Sequence, residues 1–186
     1  MIYGFAHDKL QNGSNANITF GLKHLTSHVS VATTPIGLTR GYRLSVLSET
    51  IYEPQFGIGT IYNLVPEEIR NEFLPVIKYV WAPDNAQLTP YEYKMFAFAA
   101  SEVFDSYADF VNYPYNSYPL GEGAKYPIFN NPSTRIRLFN GTTPDRWWLR
   151  SVQPTSSFWT FVDQFGIGGH SVSPEQVMRV NFGFSI

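Results

Sequence analysis

The sequence predicts an α+β domain in which short strands predominate, two short helices interrupt them, and long loops join the elements. Three observations lead there. Short β-capable segments recur from Ile18 to Ile186, separated by Gly, Asn and Pro turn signals. Only two stretches carry the chemistry of a helix start. Aromatic residues make up 17% of the chain and charged residues only 15%, a balance that suits a compact body with aromatic anchors and opposes disorder. At 186 residues the chain is long enough to bury about two-thirds of the surface its unfolded form exposes.

Residues 1–40 are rich in Gly, Asn, Ser and Thr, with Asn12-Gly13 a turn signal and Ile18-Thr19-Phe20 and Val29-Ser30-Val31 short strands. They are set apart from residues 41–186, which are assigned to the folded domain. Tyr42 to Ser48 predicts a strand bounded by Gly41 and Glu49. Val65 to Leu74 predicts a helix, with Pro66 and two acids at its start, Ile69 and Phe73 on one face, and Pro75 ending it. From Thr89 to Val111 a helix capped by Thr89 competes with a split reading. In the split, Lys94 to Phe98 is a strand and Ser101-Glu102-Val103-Phe104 starts a helix; the alternation of Phe96 and Phe98 favours it. Residues 112–132 are loop-like, since Pro and Gly recur too often for regular structure. Strands are then expected at Ile136 to Phe139, Trp147 to Ser151, Phe158 to Val162 and Val177 to Ile186, with turns at Asn140-Gly141 and Gly168-Gly169.

Several function classes are disfavoured by composition. Net charge is −2, with no block of Lys or Arg, so no nucleic-acid footprint is visible. The absence of cysteine removes disulfides, thiolate metal sites and cysteine nucleophiles together. The first eight residues lack the basic start and apolar centre of a signal peptide, and no apolar run reaches the ~20 residues that span a bilayer. The expectation is a protein made in a cytosol and not exported by the general secretory route, with no membrane insertion.

Catalytic and metal constellations are weak. His170 and Asp163 are close in sequence, but no Gly-x-Ser-x-Gly elbow accompanies them. His24 and His28 have helical ligand spacing, yet Thr26 and the β-branched run after Ser27 oppose a helix there. Pro144-Asp145-Arg146 offers calcium a single carboxylate where six or more oxygens are needed. No enzyme activity, metal or cofactor is expected. Binding has more support. Tyr113, Tyr115 and Tyr118 set three amphipathic rings in a Pro-rich loop, either as a contact surface or as packing for the loop itself. In Phe158-Trp159-Thr160-Phe161, strand alternation puts Trp159 and Phe161 on one face, and one of the two faces is expected to be core and the other a ligand or subunit surface.

Trp147-Trp148-Leu149-Arg150-Ser151 is too bulky and chemically mixed for a solvent loop. On a strand Trp147 and Trp148 point to opposite faces, and Arg150 shares the face of Trp148, where its guanidinium can stack on a ring or satisfy buried carbonyls. With this segment the chain resembles a bacterial and phage domain family of unknown function that carries a WWLRS signature. That family is similar to the C-type-lectin-like scaffold shared with formylglycine-generating enzymes and phage tropism proteins. Lys94 to Val103, Pro132-Ser133-Thr134-Arg135-Ile136 and Val180 to Ile186 follow in the same order. The chain departs at Val152, where the family has proline, and at Val180-Asn181-Phe182, where it has Val-Arg-Pro. The resemblance implies a C-type-lectin-like fold with a twisted antiparallel sheet, and a structural role for Trp147, Trp148 and Arg150. It also implies a non-catalytic phage virion protein, at a tail fibre tip, baseplate or capsid decoration, that recognises a host surface glycan or protein, with residues 1–40 then an attachment or oligomerisation segment and residues 41–186 the C-type-lectin-like domain. Tyr113, Tyr115, Tyr118, Trp159 and Phe161 are the candidate contact residues, and other virion proteins and copies of the chain, in a homo-trimer, its partners. The alternatives are a purely structural virion protein and a bacterial intracellular small-ligand-binding domain.

Overall fold

The structure, a computed structural model, describes residues 1–26, 28–30, 42, 45–52, 59–82, 87–106, 121–152, 159–172 and 175–186. In chain order the strands are β1 (Ile2–Phe5), β2 (Ile18–Gly21), β3 (His24–Leu25), β4 (His28–Ser30), β5 (Val76–Ala82), β6 (Gln87–Tyr93) and β7 (Phe96–Ala97). They continue with β8 (Arg137–Phe139), β9 (Thr143–Asp145), β10 (Trp147–Val152), β11 (Trp159–Val162), β12 (Gly168–Val172), β13 (Val177–Arg179) and β14 (Phe182–Ser185). Helices are short: α1 (Val46–Ile51), α2 (Thr60–Leu64), α3 (Glu67–Arg70) and α4 (Ala100–Val103). The architecture is mixed and mostly β.

The strands form four sheets rather than the one expected. Their orders are β1-β2-β14-β7, β12-β11-β10-β13-β4, β3-β8-β9 and the β5-β6 hairpin. Pairing is antiparallel except for β10 with β13 and β3 with β8. The first sheet corrects the division at residue 40: β2 pairs with β14 through Phe20↔Phe184 and Thr19↔Ser185, so the opening strands share a sheet with the closing one. Tyr3 explains why. Its ring stacks on Phe98 at 4.9 Å and meets Phe129 edge-on, while its hydroxyl donates to the Leu22 carbonyl and accepts from Arg137. The N-terminal strand therefore carries a core residue.

Local chemistry accounts for the other differences. The expected strand at Tyr42 to Ser48 gives way at Ser45, whose hydroxyl accepts from the Ser48 N–H at 3.1 Å and caps α1. The helix expected over Val65 to Leu74 contracts to Glu67–Arg70, with Pro66 as its N-cap residue. Thr89 and Glu92 lie on β6, and the split of the following stretch into β7 and α4 is as the alternation indicates. Gly168-Gly169 begins β12. The turn lies one step earlier, where Asp163 Oδ1 accepts from the N–H groups of Phe165 and Ile167, and Gly166 sits at φ 79°. Val177 to Ile186 divides at Val180-Asn181 because β13 and β14 belong to different sheets.

All six residues of β10 are buried. Trp147 packs towards Phe98 and Phe129, and its indole N–H donates to the Arg135 carbonyl at 3.1 Å. Two glycines permit ring-over-backbone packing: a Cβ at Gly21 would collide with the Tyr3 ring, and one at Gly169 with the Phe161 ring. Gly21→Ala is expected to destabilise the protein by about 1–3 kcal/mol in urea denaturation. An unchanged midpoint would show that Tyr3 can leave its place at no cost.

Candidate functional site

Three features stand out from the aromatic core: a sealed cluster of charges, an open polar cleft and an apolar sheet face. The cluster begins at Lys78, which shares the inward side of β5 with Val76 and Val80. Its ammonium donates to Asp8 Oδ1 at 2.5 Å, Glu102 Oε1 at 2.8 Å and the Tyr126 hydroxyl at 2.6 Å, and lies 3.8 Å from the Phe96 ring centroid. Asp8 also accepts from Thr19, Ser185 and the Tyr126 hydroxyl. Glu102 Oε2 accepts from Arg150 at 2.6 Å and from the Ala99 N–H at 2.9 Å. Arg150, fully buried, also donates to the carbonyls of Ala97 at 2.8 Å and Glu122 at 2.7 Å.

Burial alone would raise the carboxyl pKa values of Asp8 and Glu102. Lys78 beside Asp8, and Arg150 and Lys78 beside Glu102, outweigh that and hold both below their ordinary values. Arg150 is held above its ordinary value: burial lowers it, and Glu102 raises it more. Tyr126 is pushed far up by burial and by Asp8.

Glu122 is the odd member. Its Oε1 accepts from the Trp81 N–H at 3.2 Å and its Oε2 from the Ser151 hydroxyl, but the guanidinium of Arg150 reaches only its backbone carbonyl. Three buried carboxyls therefore share two cations, and burial pushes Glu122 up to about 7 despite the lowering by Arg150 and Ser151. Gly123 makes room here, since a Cβ there would sit 2.6 Å from Glu102 Oε1.

The cleft is open and polar, with a volume of about 410 Å³, lined by Pro144, Asp145, Arg146, Gln164, Gln176, Val177 and Met178. It lies where the end of β9 and Arg146 run beside the start of β13, and the turn after β11 approaches them. Main-chain bonds fix Arg146: its N–H donates to Asp145 Oδ1 at 2.8 Å, and its carbonyl accepts from the Arg179 N–H at 3.1 Å. Asp145 Oδ2 accepts from Arg179 Nε at 2.9 Å. The Arg146 guanidinium lies 6.0 Å from the Phe161 ring centroid, with Gln164 Oε1 3.5 Å from its Nε.

The apolar face belongs to the sheet β1-β2-β14-β7. A bulge between Ile2 and Gly4 turns Ile2 and Phe5 to the same side. Ile2, Phe20 and Phe184 then form one cross-strand row, and Phe5, Ile18 and Ile186 the next. Phe5 is 68% exposed and Ile2 43%.

Among the candidate contact residues, Tyr113, Tyr115 and Tyr118 lie outside the described residues. Trp159 is corrected: at 1% exposure it fills the core and offers no ring to a ligand. Phe161 is half-buried, folded over Gly169 beside Arg146. Trp147, Trp148 and Arg150 are core residues. His24 and His28 lie on strands, not on one helix face. Sequence reasoning missed Asp8, Lys78, Glu102, Tyr126 and Glu122 as a cluster, and Gln164 and Gln176 as cleft residues. One signal was available, a lysine in phase with Val76 and Val80.

Comparison with protein-family models, curated proteins and solved structures gives no match in any of the three. No helix among the described residues is long and apolar enough to cross a membrane.

Lys78→Met leaves Asp8 and Glu102 buried without their shared cation and is expected to cost about 3–5 kcal/mol in urea denaturation; a loss below 1 kcal/mol, on the order of a surface ion pair, contradicts the assignment. The pH dependence has two arms. Asp8 and Glu102, with lowered folded values, contribute stability above their unfolded values of 3.8 and 4.5 that is lost as pH falls through the folded ones. Glu122, raised to about 7 from 4.5, contributes stability that is complete below 4.5 and declines as pH rises to 7. Stability is therefore expected to peak at about pH 5, and Glu122→Gln to remove a decline of about 2–3 kcal/mol between about pH 5 and 8. Melting curves that stay flat over that range in the parent protein contradict it.

Proposed function

We propose that the protein is a non-catalytic recognition module of a phage virion, at a tail fibre tip, baseplate or capsid decoration, on a C-type-lectin-like scaffold. It contacts a host surface glycan or protein and assembles with copies of itself, a trimer being the expected state. The observation that carries this reading is the separation of two surface features on different sheets. Phe73 stacks on Phe184 at 4.3 Å, and the rest of the rows, Ile2–Phe20 and Phe5–Ile18–Ile186, offers an apolar face for a second copy of the chain. The cleft at Arg146 lies on the sheet that holds β10 and offers directional hydrogen bonds.

The ionisable groups displaced most from ordinary behaviour, Asp8, Glu102, Glu122, Tyr126 and Arg150, are sealed in the core, where they tie strands together and meet no substrate. That distribution supports binding over catalysis, since catalysis needs its tuned groups in reach of a ligand. The WWLRS likeness at Trp147–Ser151 supports the scaffold and the virion setting, and Tyr113, Tyr115 and Tyr118 remain candidates for host contact by their residue type.

Light scattering coupled to size exclusion is expected to find a trimer or higher ring that Phe5→Ser converts to a monomer with an unchanged melting temperature. A parent protein that is monomeric at all concentrations removes the self-assembly element. In particles, Tyr115→Ala with Tyr118→Ala is expected to abolish adsorption while assembly stays intact; failed assembly instead favours the purely structural alternative.

A further inference from the structure

We propose that the cleft between the β9–β10 junction and the start of β13 binds a carboxylate-bearing saccharide, with Arg146 taking the carboxylate and Gln164 and Gln176 taking ring hydroxyls. This rests on the recognition reading and names the chemistry of its ligand. The cleft, at about 410 Å³, falls within the range of roughly 300–1,000 Å³ seen for small-ligand sites.

Its charge balance selects an anion. Asp145, the carboxylate in the lining, is engaged by Arg179 through Oδ2 and by the Arg146 N–H through Oδ1. The Arg146 side chain has no carboxylate within ion-pair distance among the described residues, and only its Nε meets Gln164. Among the described residues no partner meets the terminal nitrogens of the guanidinium, which form the planar fork that suits a carboxylate. The backbone that carries the cation is fixed in advance. Residue 146 is tied through its N–H and its carbonyl, and its guanidinium is flanked by Phe161, which Gly169 holds in place.

The remaining lining favours a sugar over a simple anion. Each glutamine amide supplies two donors and an acceptor, the mixed set that vicinal hydroxyls require. Gln164 and Gln176 stand on separate elements, so they can engage a ring from two sides. Pro144 and the exposed Val177 add apolar lining against which the C–H face of a pyranose can lie.

The test is calorimetric titration of the full chain with a uronic-acid tetrasaccharide and with its carboxyl-reduced form, alongside whole-particle adsorption. The acidic form is expected to bind at least about 10-fold more tightly than the reduced form. Arg146→Gln should erase that preference, with a loss of about 10- to 100-fold and an unchanged melting temperature. Gln176→Ala should weaken both forms. Equal binding of the two sugars, indifferent to Arg146→Gln, overturns the anionic assignment and leaves recognition standing. Binding of a peptide with a free C-terminal carboxylate but of neither sugar overturns the saccharide class. Adsorption that persists in Arg146→Gln and Gln176→Ala particles, with no sugar bound, places recognition elsewhere and overturns this site alone. Particles of the parent protein that adsorb to no host surface remove the recognition reading itself.

Discussion

The fold turns on one ammonium group. Lys78 reaches Asp8 from the N-terminal segment, Glu102 from α4 and Tyr126 from the segment beyond it, and Glu102 passes the contact on to Arg150 of β10. These partners come from distant parts of the chain and are all buried, so each depends on the others for solvation that water no longer supplies. A buried ion pair is poor evidence of extra stability, because an apolar replacement of the whole set can pack as well. What it imposes is specificity. Any arrangement that moves β1, β5, α4 or β10 out of register strands a charge in the core.

Aromatic packing sets the limits of that cluster. Phe96 and Tyr126 lie against the Lys78 ammonium, and Tyr3, Phe98, Phe129 and Trp147 close around them with edge-on and stacked contacts. The rings exclude water and supply electron-rich faces to the cations, so the cluster and the core are one unit. Glu122 is the point of stress in it, a third carboxyl with two cations already engaged. Its ties to Trp81 and Ser151 make the protonation of one buried group a matter of how β5 and β10 are held.

Strand positions were legible where alternation and bulky residues agree, as in Trp147 to Val152 and in Phe96-Ala97 followed by the helix at Ala100. They were illegible where a single cap overrode the pattern, as Ser45 does for α1. The mixed, mostly β class was also legible, whereas its division into four sheets depends on pairings such as Phe20 with Phe184 that no local window contains. The charge cluster was hidden for the same reason, since Asp8 and Lys78 stand 70 residues apart and Ser151 and Glu122 stand 29 apart. Arg150 could be assigned to the core from its motif, but not its partner. Trp159 shows the opposite error: an aromatic alternation suggests that Trp159 and Phe161 behave alike, whereas Trp159 is buried in the core and Phe161 only half-buried.

The most direct measurement is a double-mutant cycle between Asp8→Asn and Arg150→Lys, read by urea denaturation. The two side chains share no hydrogen bond among the described residues and are linked through Lys78 and Glu102, with Tyr126 beside them. A cluster that acts as one unit predicts a coupling above about 0.5 kcal/mol. Additivity within about 0.3 kcal/mol would show that the two ion pairs are independent and that no single interaction organises the fold.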